Sequence, residues 1–305
     1  MDISKVYCSD YVLDGELDIP EFGFHVKLQG DDLFLGNNSK HRCFRTLRRH
    51  FAEKGYKIYA VSCSDDSLQL IIGNCTLCNI QKDLRLFFAS YSVFMAMIDN
   101  FAEHSALIRM IRSVDDFMNT FFAIAIDGKK DFADCITYQW SGIKAFLTDK
   151  WEYGDLISKD EIYMVYNCGK TPYEFAKAVF NRGYPDYQEV LSESKSINME
   201  EDPNQKLINS ILADYFKLPE NLFSMFPKTR EKILSKSLND ENMFGYIVFS
   251  LVSKGNSFRK CAGLLKCSYT KVYNAYNNYM FKRTFNNFSE MNKKFKDFIE
   301  KNERS

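Results

Sequence analysis

The stretch from Gly55 to Ile72 constrains the fold most. It reads as two short strands joined by a polar turn at Ser64-Asp65-Asp66. In the second strand, side chains alternate between faces. Ser67, Gln69 and Ile71 share one face, and Leu68, Leu70 and Ile72 the other. A strand with one wholly apolar face and one mixed face belongs to a sheet covered by helices.

The flanking sequence supplies those helices. Phe22 to Gly30 reads as a first strand ending at a Gly-Asp-Asp turn. Ser39 to Lys54 is predicted to be a helix, with Ser39 as N-cap, Phe44, Leu47 and Phe51 on its apolar stripe, and Gly55 as its stop. Asn79 to Phe101 is a second amphipathic helix and Val114 to Ile126 a third. Strand, helix, strand, strand, helix is an α+β arrangement: an antiparallel sheet with packed helices. Thr171-Pro172 starts a further helix, and the polar run from Ser192 to Pro203 is the expected linker. Beyond Asn204 the chain reads as all helix, broken at Pro219, Pro227, Asn239-Asp240 and Gly255, with a solvated Lys/Asn-rich tail from Asn292. The expected domains are 1–151, a connecting segment 152–202, and an all-α domain 203–305.

Composition narrows the partners. Lys plus Arg equals Asp plus Glu at 40 each, so nucleic-acid binding requires a local basic face rather than a whole-molecule field. No uncharged apolar run approaches the ~18 residues of a membrane span, and Met1 to Lys5 has no signal-peptide core. The nine cysteines are odd in number and scattered, which fits reduced thiols and a cytoplasmic location. Cys75 and Cys78 form a C-x-x-C without the second pair that a zinc site needs.

Several short motifs occur in a recognisable order. They are Phe24-His25-Val26, Gly55 to Val61, Ser90-Tyr91 and Tyr138-Gln139-Trp140-Ser141. Together with the strand at Ser67, they make the block from Phe24 to Trp151 resemble the REP-associated tyrosine transposases, a branch of the HUH single-strand nucleases. In that family the second strand carries His-hydrophobic-His, and the two imidazoles hold a divalent metal. Here those positions are Ser67 and Gln69, both weak neutral ligands for Mg²⁺ or Mn²⁺. The resemblance therefore implies a degenerate metal site and no cofactor. The family's Tyr-Ile-His-x-Asn-Pro segment corresponds to Phe122 to Gly128, which has no tyrosine, leaving Tyr91 as candidate nucleophile. Tyr91 also lies on the apolar stripe of its helix, where a core role is the plainer reading. An active alternative would build a metal site from Asp65, Asp66 and Gln69.

The second informative region runs from Met243 to Tyr279. It is predicted to hold three helices: Phe244 to Ser253, Phe258 to Leu265 capped by Ser257, and Tyr269 to about Tyr279 capped by Ser268. Ala262 is small where two helices cross, and Leu265 and Val272 flank the turn at Lys266-Cys267-Ser268. This is helix-turn-helix spacing. The region from Asn204 also resembles the helical DNA-binding domain of the replication initiator DnaA. The expected DNA contacts are Arg259, Lys260, Lys266, Ser268, Tyr269, Thr270, Lys271 and Asn274. Arg42, Arg45, Arg48 and Arg49 make a further basic cluster, either a solvated face or a phosphate track. The reading is a transposase-like, catalytically inactive DNA-binding protein that binds DNA and no membrane, with a homodimer left open. The alternatives are an active single-strand transposase and a protein-interaction module.

Overall fold

The computed structural model describes residues 6–8, 19–97, 104–166, 171–183, 202–284, 295 and 297–299. The chain divides into two compact units, Met1–Tyr187 and Gln188–Ser305.

The first unit is α+β. Its strands are β1 (Val6–Cys8), β2 (Phe24–Gly30), β3 (Lys57–Cys63), β4 (Ser67–Gly73) and β5 (His104–Met110). The sheet order is β1-β5-β2-β4-β3. Strands β5, β2, β4 and β3 are mutually antiparallel neighbours, and the three-residue β1 adds in parallel beside β5. Two helices cross between strands: α1 (Gly36–His50) links β2 to β3, and α2 (Leu77–Met97) links β4 to β5. Each joins parallel strands separated by one other, so two split β-α-β units interleave.

The register defines the two faces. Phe24, Val26 and Leu28 on β2 pair with Ile72, Leu70 and Leu68 on β4, and all six are buried. This apolar face takes α1 and α2 through Phe44, Leu47, Leu84, Phe87 and Phe88. The opposite face carries His25, Lys27, Ser67, Gln69 and Ile71, with Ser62 of β3 paired to Gln69. It is covered in part by α3 (Val114–Ile126), whose Phe117 ring meets Tyr59 edge-on. Helix α3 has the predicted bounds and its N-cap, Ser113, accepts from the Asp116 amide.

Helix α1 starts three residues before the predicted Ser39, which is buried inside it. Its first turn is capped from outside. The Gly36 amide lies 3.4 Å from Asp65 Oδ1, and the same carboxylate takes Lys40 Nζ. A distant carboxylate at the hairpin turn therefore replaces a local cap. The C-terminal stop is as predicted: α1 ends at His50, a 3₁₀ turn spans Ala52–Lys54, and Gly55 sits at φ 84°. The end of the second predicted helix, from 98 to 101, lies outside the described residues.

Helices α4 (Phe132–Thr137), α5 (Ile143–Leu147), α6 (Lys159–Tyr166) and α7 (Pro172–Gly183) also belong to the first unit. Phe175 of α7 stacks on Phe146 of α5 at 4.3 Å and meets Phe121 of α3 at 6.0 Å. The first unit therefore extends past residue 151. The predicted linker falls largely outside the described residues.

The second unit contains α8 (Pro203–Phe216), α9 (Asn221–Met225), α10 (Pro227–Ser237), α11 (Glu241–Ser253), α12 (Phe258–Leu264) and α13 (Tyr269–Thr284). The breaks fall where Pro219, Pro227, Asp240 and Gly255 placed them. Gly245 lets α11 approach α13 closely: a Cβ there would stand 2.7 Å from Tyr279 Cβ and 3.0 Å from the Ala275 carbonyl. The expected solvated tail is corrected in part. Phe295, Phe298 and Ile299 are buried, with the Phe298 ring 5.4 Å from Tyr215 and 5.2 Å from Tyr246. Three apolar side chains outweigh the polar composition around them.

Candidate nucleic-acid interface

Ser67 and Gln69 lie on the mixed face of β4. Gln69 Oε1 lies 3.2 Å from His25 Nε2 on the neighbouring strand. Burial pulls the His25 pKa down, and the Gln69 hydrogen bond only partly opposes this. Ser67 is buried, and its hydroxyl lies 2.8 Å from that of Ser64 across the hairpin turn. Two cations beside them find internal partners. Arg109 Nη1 donates to both Asp116 oxygens at 2.8 Å, and its Nη2 donates to Thr120 Oγ1 at 2.7 Å. Lys129 donates to Ser62 Oγ at 3.3 Å and lies 4.0 Å over the Tyr138 ring, its pKa lowered by burial.

This donor set does not fit a divalent metal. Among the described residues no three His, Cys, Asp or Glu side chains converge. The proposed Asp65, Asp66 and Gln69 trio is not assembled. Asp65 turns to Lys40 on α1, Asp66 Oδ1 accepts the Asp32 amide at 3.0 Å, and Gln69 points to the other face.

Tyr91 is not brought to this site. Carried on α2, it lies among Phe34, Phe87 and Phe94 at 1% exposure. Its hydroxyl donates to the Leu33 carbonyl at 3.0 Å, with Ser39 O at 3.4 Å. Burial raises its pKa strongly. Ser67 and Gln69 occupy the opposite face of the sheet, so the three residues share no cleft. The Tyr138 to Ser141 motif serves the sheet edge. Tyr138 Oη donates to the Cys63 carbonyl at 2.6 Å, the Cys63 amide to Trp140 O at 2.9 Å, and the Gly142 amide to Val61 O at 2.7 Å.

In the second unit, α11, α12 and α13 form the predicted three-helix arrangement. Ser257 accepts from the Lys260 amide and Ser268 from the Lys271 amide, at 3.3 and 3.2 Å. Leu265 and Val272 are buried on either side of the turn. Cys261, rather than Ala262, is the fully buried residue of α12. Lys266 adopts φ 50°, the left-handed conformation that ends α12 and turns the chain into α13.

All eight expected contact residues are exposed: Arg259, Lys260, Lys266, Ser268, Tyr269, Thr270, Lys271 and Asn274. The helical period puts Thr270, Asn274 and Asn277 along the centre of the exposed face of α13. Tyr269 and Tyr273 flank them, stacked at 6.2 Å, with the Phe258 ring edge-on to both. Two cations have neighbours. Lys266 Nζ lies 3.0 Å from Glu231, an exposed pair worth about 0–1 kcal/mol, and Lys271 Nζ lies 5.2 Å from the Phe244 ring. Asn277 and Tyr273 were missed from sequence, although the i+3 and i+4 spacing from Asn274 and Tyr269 was available to find them.

Comparison with family models, with curated proteins and with solved structures finds no match.

Proposed function

We propose that this chain is a transposase-like DNA-binding protein without metal-dependent nuclease chemistry, docking on duplex DNA through the exposed face of α13. One observation carries the reading. Eight polar, aromatic and cationic residues chosen by helix-turn-helix spacing are all exposed on α12, on α13 and in the tight turn that joins them. Arg259, Lys260 and Lys266 supply phosphate contacts, which fix position without reading sequence. Thr270, Lys271 and Asn274 present hydrogen-bonding groups of the kind that read base edges in the major groove.

The first unit supports the family reading through topology and weakens it through chemistry. Interleaved split β-α-β units with a central strand carrying Ser67 and Gln69 are the ferredoxin-like order on which HUH domains are built. The segment compared with the family's nucleophile stretch, Phe122 to Gly128, begins in the last turns of α3, which covers the same face as Gln69. That helix has no tyrosine, and the ligand positions hold neutral side chains already bonded to His25 and Ser64.

The test is selection from a random duplex library with the full chain. Asn274→Ala is expected to change the preferred sequence, since one base contact contributes about 1–3 kcal/mol. Lys266→Ala is expected to weaken all sequences about equally. A selection that enriches no sequence above background rejects the proposal and favours the protein-interaction reading, which the exposed Tyr269 and Tyr273 would also suit.

A further inference from the structure

The outer surface of the α1/α2 layer is strongly cationic. Together the two helices carry seven lysines and arginines and one carboxylate, Asp83. Asp83 is buried and taken up by Lys54 and Tyr56. Two of the cations are also committed, Lys40 to Asp65 and Arg48 to Asp155. The other five, Arg42, Arg45, Arg49, Lys82 and Arg85, are exposed and have no ion-pair partner among the described residues.

Position makes these cations a surface. Arg42, Arg45 and Arg49 are spaced i, i+3, i+7, opposite the buried Cys43, Phe44 and Leu47, so they form one stripe about 10 Å long. Helix α2 runs antiparallel beside it. Lys54 meets Asp83, His50 Nε2 lies 2.9 Å from Ser90 Oγ, and Arg42 sits 5.9 Å over the Phe94 ring. The exposed side of α2 holds Lys82, Arg85, Leu86 and Val93, the last two at 42% and 59% exposure. Nearby acids sit at the rim: Glu53 beyond the end of α1, and Glu152 and Asp155 on the flank facing His41 and Arg48.

We infer that this surface binds the backbone of a single-stranded nucleic acid. The arginine row matches a line of phosphates, which guanidinium groups hold through paired hydrogen bonds. The adjacent Leu86 and Val93 suit unstacked bases, which a duplex keeps hidden. A membrane fits less well. The apolar faces of α1 and α2 are already spent on the sheet, and two aliphatic side chains offer only about 3–6 kcal/mol of burial. The inference stands on the first unit alone and does not need the α13 interface.

The full chain is titrated with a labelled poly-dT strand and with a random duplex at 50 and 200 mM salt. Arg42→Gln, Arg45→Gln and Arg49→Gln are combined, and an unchanged unfolding midpoint confirms folding. Losing three contacts lowers the single-strand salt slope by about 2, so raising the salt costs the wild type about 20-fold more affinity than the variant. Duplex binding is expected to change little. The parallel variant Arg259→Ala, Lys266→Ala, Lys271→Ala reports on α13, and its failure to weaken duplex binding would reject that interface without touching this one. An unchanged single-strand slope, or equal losses on both probes, overturns the inference. So does charge-dependent capture by phosphatidylserine vesicles with no single-strand binding.

Discussion

Two glycines in the helical unit are expected to respond to alanine with opposite signs. Gly245 lies within α11 and Gly263 within α12. Alanine in a helix interior is favoured over glycine by about 0.8–1 kcal/mol. At Gly263, in the last turn of α12, nothing lies within 4 Å of the added Cβ, so Gly263→Ala should gain part of that. At Gly245 the new Cβ meets Tyr279 Cβ at 2.7 Å and the Ala275 carbonyl at 3.0 Å. Comfortable carbon contacts are about 3.5–4 Å, so the helices must part by several tenths of an ångström or more. Neither obstacle is the tip of a flexible side chain. Overpacking of this kind costs about 1–3 kcal/mol, and after the propensity gain a net loss of about 1 kcal/mol remains. Urea unfolding of the full chain, followed by circular dichroism, measures both variants. A stabilisation by Gly245→Ala equal to that of Gly263→Ala would refute the close approach of α11 and α13, and with it the position assigned to α13.

Three further outcomes follow from particular contacts. Lys40 is 7% exposed and Asp65 52%, so Asp65→Asn strands a buried ammonium and should cost about 1–3 kcal/mol, the half-exposed carboxylate being discounted for solvent. Lys40→Met should cost less, and equal losses in urea unfolding would contradict the pairing. His25 and His50 are both held below the ordinary value of 6.5, mainly by burial, so the unfolded chain takes up the proton first. Their contribution is complete above pH 6.5 and declines as pH falls toward the lower folded values, by at most about 1.4 kcal/mol per pH unit for each group. His25→Gln should flatten part of that decline in unfolding measured between pH 7 and 5. Lys266→Gly, relieving a left-handed lysine, should stabilise the chain by about 0.5–1 kcal/mol while weakening DNA binding. Loss of stability would show that the lysine side chain matters more to the turn than its backbone does.

Much of this was legible where local chemistry decides. The alternation at Ser67 to Ile72 and the polar turn before it define the β3–β4 hairpin, and Ser257 and Ser268 mark helix starts that the structure reproduces. What depends on distant partners was less legible. The start of α1 depends on Asp65, 29 residues away in sequence from Gly36. Tyr91 shows why an apolar stripe alone is ambiguous. It states that a side chain is buried, not against which face of a sheet, and that choice separates Tyr91 from Gln69. Nothing local marks the role of Gly245, because its partner, Tyr279, lies on another helix. Likewise Phe295, Phe298 and Ile299 are isolated among polar neighbours in sequence and gain meaning only beside Tyr215 and Tyr246.

The central claim is that the exposed face of α13 and the cations beside it bind duplex DNA. It is tested most directly by titrating the full chain with a duplex from 50 to 200 mM salt, beside the variant Arg259→Ala, Lys260→Ala, Lys266→Ala. Each phosphate contact contributes about 0.9 to the slope of log K against log salt, so removing three should lower its magnitude by about 2.7 and weaken binding at every salt. Duplex binding that is absent at 50 mM salt, or a slope and affinity identical in the two proteins, would contradict the account.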